Sequence, residues 1–467
     1  MSETDSQNNE PEELVSNSGS TEDVDSDASN STTPIESTSS TPVITHSHSH
    51  SHDAIGDWDI LATHPVLKWI VGFLGLIAVL TVIGVVTLWP DGENRAEILD
   101  EARTIGLSFE LHSAEVNTVT DEICSYSTPA DPQDCRTVII TPNGGSQAGL
   151  QLVLNEFNLA QVGIPQVNEG DSIVVGFVPD QDFYFFVDVE RRIPIIALMA
   201  FFIIVVLAMA RARGGLAILA MASTVVIIIG FIGPSILNGN SPLLVAIVGA
   251  SLIAFTSLYF THGFTPTTTV ALAGTMMALL ITLGVSEVFF NWAGFTGFGN
   301  EAGVALGQLL PGIDLSSILL AGAILGALGA LDDITITQVA TISELHEQNP
   351  SMTIRQLFTS GIKIGREHIA STVNTLLLAY AGASLPIILL SSARLNEDNL
   401  NRPSETLSQD LGPLSNLYRF FEEQINIANT EEIAVEVIRT LSGSIGLVAA
   451  VPVTTALAAI LVGTKSR

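Results

Sequence analysis

Basic residues are scarce in this chain. Its 467 residues include 17 Lys and Arg against 48 Asp and Glu, for a formal charge of −31. That balance excludes a nucleic-acid partner, because neutralising phosphates takes a basic face. Cysteine is nearly absent, with Cys124 and Cys135 the only two. A metal or redox role for that pair would need closer spacing or more ligands. Catalytic signatures are missing as well. No Walker loop or HExxH occurs, and the "GAS" triplets at 249–251 and 382–384 lack the following glycine of a rhomboid serine site. The run "ALGALDD" has the wrong glycine spacing for an intramembrane aspartyl protease, and no second aspartate motif lies on another apolar segment. An enzyme is therefore not expected, and no cofactor is called for.

What is abundant is apolar surface, at 47% of residues. So acidic a chain holds that much only if the two kinds of residue are segregated. Residues 1–65 carry thirteen acids and no Lys or Arg, and this tail reads as disordered because it cannot offset its ordering entropy by burial. Within the tail, "HSHSHSH" at 46–52 makes His46, His48, His50 and His52 a weak candidate metal tract or a low-complexity repeat. The first apolar run starts near residue 66, too far along and too long for a cleaved leader.

A bilayer crossing takes about 20 apolar residues, and eight segments qualify: 66–89, 193–210, 215–237, 242–261, 268–290, 315–337, 372–391 and 442–462. The expected fold is thus a mainly α-helical polytopic membrane protein of about eight transmembrane helices. Lys and Arg near helix ends favour the cytoplasm. With both termini inside, Lys68, Arg211, Arg213, Arg355, Lys363, Arg366, Lys465 and Arg467 all fall on cytoplasmic ends, and only Arg191 and Arg192 are discordant.

That orientation puts two polar stretches outside, residues 90–192 and 392–441. The first alternates apolar and polar residues in short blocks such as "RTVIIT" and "DSIVVGFV", bounded by turn chemistry such as "TPNGG". It reads as a small external β-rich domain between the first two helices, with a barrel as one form it could take. An oxidising exterior predicts a disulfide between Cys124 and Cys135. In the second stretch Leu414, Leu417, Tyr418, Phe421 and Ile425 follow helical spacing and predict an amphipathic helix.

Acids are costly in lipid, which makes Asp332 and Asp333, at the end of "LLAGAILGALGALDD", the first functional candidates. Leu315 to Asp332 spans about 26 Å of helix. The pair then lies near the cytoplasmic surface, or well inside if the helix runs on to Leu345. Gly322, Gly326 and Gly329 form a small-residue stripe that allows close approach by a neighbour. The next segment offers partners: Arg366 to compensate an aspartate, His368 to titrate, and Asn374 to orient a ligand or bridge helices. The competing reading makes Lys363 and Glu367 a surface pair and Arg366 a positive-inside anchor. Gln338 completes the candidate path. Pro452 predicts a kink in the last segment.

The joined motifs "LLAGAILGALGALDDITITQVATISEL" and "IGREHIASTVNTLLLAYAGASLPIILL" resemble the YibE/F family of bacterial multi-pass membrane proteins in its actinobacterial-like form, as do "HGFTPTTTVALAGT" and "YFFVDVERR". The resemblance covers roughly residues 66–465 and implies a plasma-membrane location, with Asp332, Asp333, Gln338, Arg366, His368 and Asn374 as family-motif positions. It implies no defined activity. The expected partners are the lipid bilayer, an unidentified small solute or ion, and further copies of the chain in a homo-oligomer. The leading expectation is a permease; the alternative is a non-transporting envelope scaffold acting through the external domain.

Overall fold

The computed structural model describes residues 58, 64–92, 109–129, 131–161, 163–164, 166–390 and 430–463. The His-rich tract, nearly all of the acidic tail and the expected amphipathic helix at 414–425 lie outside the described residues.

The first apolar segment forms α1 (Pro65–Thr87), opened by a proline whose missing N–H costs nothing at a helix start. Its C-terminal side is tied down where the Leu88 carbonyl accepts from Ser235 Oγ at 2.7 Å and Asn240 Nδ2 at 3.3 Å.

Five strands follow: β1 (Glu110–Ile123), β2 (Asp134–Pro142), β3 (Leu152–Asn158), β4 (Ser172–Val178) and β5 (Phe183–Val189). They form one antiparallel sheet in the order β3-β2-β1-β4-β5. Alternate residues enter a common core: Ala114, Val116, Val138, Ile140, Ile173 and Val175 are all buried. Register shifts between β1 and β2, between β2 and β3, and between β4 and β5 bend the sheet. The curl brings Phe157 of β3 and Phe186 of β5 to 6.2 Å between ring centroids. These two edge strands do not pair with each other, so the sheet curls without closing into a barrel. Cys124 and Cys135 are joined by a disulfide.

Six helices among the described residues are long and apolar enough to cross a membrane. The second is α2 (Arg192–Ile227), continued by a π segment (Ile228–Ile232) and the short α3 (Gly233–Leu237). It covers two of the predicted spans, 193–210 and 215–237. At Arg211 the backbone leaves helical geometry with φ 51° and ψ −129°, a conformation that a β-carbon disfavours. A Cβ placed on Gly214 would lie 2.7 Å from the Val206 carbonyl oxygen. In a straight helix residues eight apart are separated by about 12 Å, so the chain bends sharply at Arg211 and brings its two arms together.

Next come α4 (Pro242–His262), α5 (Pro266–Ala293), the short α6 (Glu301–Leu309), α7 (Leu315–Gln348), α8 (Ile354–Ala383) and α9 (Glu431–Val462). Proline and threonine set the α4–α5 turn: Thr265 caps α5 by accepting from the Thr268 amide, and Pro266 takes the first helical position. The segment predicted as a span at 372–391 begins in the C-terminal part of α8 and runs past its end at Ala383. Its polar residues keep α8 outside the six membrane-crossing candidates, so eight segments predicted from sequence correspond to six such helices plus α8. The last span also begins earlier than predicted, at Glu431, because Ile433 and Val435 already find cover. Pro452 sits inside this continuous helix.

Helices α4, α5, α7 and α9, with one face of α1, share one apolar core. Two contacts between α5 and α9 are reciprocal. Gly274 of α5 faces Thr454 of α9, and Gly446 of α9 faces Thr282 of α5, each glycine with no room for a side chain.

Candidate functional site

The helix bearing the two aspartates does not stop at them. α7 runs unbroken through 34 residues, Leu315–Gln348, and Asp332 lies about midway. The continuation follows from the apolar residues Ile334, Val339 and Ile342, all buried against neighbouring helices.

Adjacent helical residues point about 100° apart, and the structure separates the pair accordingly. Asp332 is largely enclosed, and its Oδ1 atom is buried without a hydrogen-bond partner. The Thr275 hydroxyl of α5 is within reach of this carboxylate. Thr275 Oγ1 lies 2.7 Å from Thr335 Oγ1, both residues fully buried, and the Thr335 hydroxyl bonds to the Asp332 carbonyl at 3.1 Å. Asp333 is exposed, and His262 at the end of α4 and Arg213 after the α2 bend form an electrostatic cluster with it.

Gln338 has a different task. It is buried, and its Nε2 donates to the Gly361 carbonyl of α8 at 2.9 Å and to Thr455 Oγ1 of α9 at 2.8 Å. Gly361 and Gly365 leave the space this side chain occupies. Gln338 therefore ties three helices together.

The partners expected on α8 do not join the aspartates. Arg366 and Asn374 are exposed, His368 is half-buried, and none of the five ion pairs among the described residues involves Arg366, Asp332 or Asp333. The expected charge compensation is not formed, because the packing of α8 through Leu357, Gly361 and Gly365 turns these side chains away. Among the described residues no group of three or more His, Cys, Asp or Glu is arranged to hold a metal ion.

The glycine stripe accommodates side chains rather than a neighbouring backbone. A Cβ on Gly322 would lie 3.2 Å from Arg439 Nη2 of α9, and Gly326 faces the Tyr380 hydroxyl of α8. Arg439 Nη1 pairs with Glu436 at 2.5 Å. Near this end Glu431 is held by the Thr296 and Gly297 amides and the Thr296 hydroxyl. Sequence reasoning missed Arg439, Glu436 and Tyr380. The one signal available was a glycine pair with no stated occupant.

Six helices long and apolar enough to cross a membrane, four of them sharing one apolar core with part of a fifth, indicate a membrane protein. The family model described as YibE/F-like protein matches residues 198–399 and 414–464, just over half of the chain, and the chain belongs to this family. No curated protein and no solved structure matches it.

Proposed function

We propose that this protein is a permease for a small solute or ion, with Asp332 carrying the exchangeable charge. The supporting observation is the Asp332 oxygen enclosed between α5 and α7 without a hydrogen-bond partner. A charged side chain at mid-bilayer costs about 2.5–3.5 kcal/mol even by insertion scales. A buried acceptor left unsatisfied costs about 1–3 kcal/mol more than a paired one. A carboxylate kept there at that cost is suited to take up and release a proton or cation. Asp333, with His262 and Arg213, forms the polar mouth through which that ion passes. In this reading the protein lies in the bacterial plasma membrane with both termini in the cytoplasm, and the curled sheet is external.

A solute comparison between a deletion strain and its parent identifies the cargo, and flux is then measured in proteoliposomes. Asp332→Asn abolishes flux and Asp333→Asn slows it. Full flux in the double variant would remove the proposal.

A further inference from the structure

We infer that Arg439, Glu436 and Glu432 form a second binding site, at the opposite end of the bundle from Gln338, for a small zwitterionic solute of the amino-acid type. This deepens the permease reading by naming a class of cargo, and the binding itself does not depend on flux.

The site is a cavity of about 210 Å³ whose polar lining includes Asn300, Glu431, Glu432, Glu436 and Arg439. On this measure one water needs about 10–15 Å³, so the cavity has room for several waters or a small solute. Arg439 enters from the third turn of α9, and the bare face of Gly322 leaves room for its guanidinium. A guanidinium presents five N–H donors in a fixed fork. Here one nitrogen is taken by Glu436, while Nε is buried with no partner.

The charges around the cavity narrow the ligand. Glu431 is already satisfied by two amides and a hydroxyl, which leaves Glu432 and Glu436 lining the cavity with one arginine. A simple anion would bond Arg439 but meet two carboxylates. A simple cation would satisfy the carboxylates but meet the Arg439 guanidinium, which lines the same cavity. A molecule carrying both a carboxylate and an ammonium group satisfies both, with the carboxylate on the guanidinium edge and the ammonium between the glutamates. Gly322 and Asp332 are ten residues apart on α7, about 15 Å along the helix. The zwitterion site thus borders the helix that carries the ion-binding carboxylate.

The test uses the full chain in lipid nanodiscs, followed by tryptophan fluorescence during heating. The probes are glycine and L-alanine, with acetate and methylammonium at matched ionic strength. Glycine or L-alanine should give a saturable rise in melting temperature that neither single-charge ion reproduces. Arg439→Lys keeps the charge but loses the fork, and should weaken the apparent affinity about tenfold or more. Glu432→Gln should do the same, and it carries the test if Arg439→Lys fails to assemble. Three results would each overturn the inference: no saturable rise with either amino acid, an equal rise with acetate or methylammonium, or wild-type affinity in both variants. Binding without flux would overturn only the permease reading, and flux of another solute without amino-acid binding would overturn only this site.

Discussion

Replacing Gln338 by leucine separates a structural role from a place on the solute path. The wild-type side chain makes two bonds, to the Gly361 carbonyl and to Thr455 Oγ1. Neither partner is orphaned by its loss. Gly361 is an interior helical residue, and the Thr455 hydroxyl is also bonded to the Val451 carbonyl at 2.6 Å. Interhelical hydrogen bonds in membrane proteins average about 0.6 kcal/mol and reach about 1.7, so two such bonds predict a loss of about 1–2 kcal/mol. Gln338→Ala also opens a void beside Gly361 and Gly365, adding about 1–3 kcal/mol. Unfolding free energies in detergent or bicelles, measured for Gln338→Leu, Thr455→Val and the double variant, should show a coupling of about 0.5–1.5 kcal/mol. Flux per folded molecule should stay near wild type. Single-variant effects that add to within about 0.3 kcal/mol, or flux lost at full stability, would refute the assignment of Gln338 as a tie between helices.

Three further outcomes follow from the packing and the sheet. Gly446→Val drives a side chain into Thr282 and should cost more than about 2 kcal/mol, whereas Gly284→Ala, with nothing near its Cβ, should be neutral or better; thermal melts of both decide it. Replacing Cys124 and Cys135 by serine should destabilise the sheet by about 2–3 kcal/mol, read by hydrogen exchange at β1 and β2 in the intact protein. Asp121 accepts two bonds from Arg136, each 2.8 Å, and this pairing holds its carboxyl below the usual carboxylate range. Its contribution is therefore present above the ordinary range and lost as pH falls through the depressed value. A ¹³C carboxyl titration should find a low midpoint that Arg136→Gln raises.

Much of this architecture could be read from sequence because hydropathy reports directly on which segments avoid water. The starts of α1, α5 and α7 match the predicted spans to within a few residues, since proline or an N-cap residue marks each one. Face-to-face relations were harder to read. "GAILGALG" announced that something approaches α7, but its occupants, Arg439 and Tyr380, come from other helices and carry no local trace of that contact. Arg366 looked like the partner of an aspartate because both sit near the same hairpin, yet the rotation of α8 is set by Gly361 and Gly365 against Gln338. Asp332 and Asp333 were equivalent in sequence, and the Thr275–Thr335 contact distinguishes them.

The two glycine–threonine contacts between α5 and α9 bear on how the bundle can move. In both helices the threonine follows its glycine by eight residues, so the antiparallel pair interlocks twice in the same register. A slide of one helical turn, about 5.4 Å, would replace each glycine with a residue bearing a side chain and jam the threonines against it. Ratcheting along this seam is therefore barred, and α5 and α9 travel as one piece. Any gating motion falls to the helices around them, with the bend at Arg211 the natural place for it to begin.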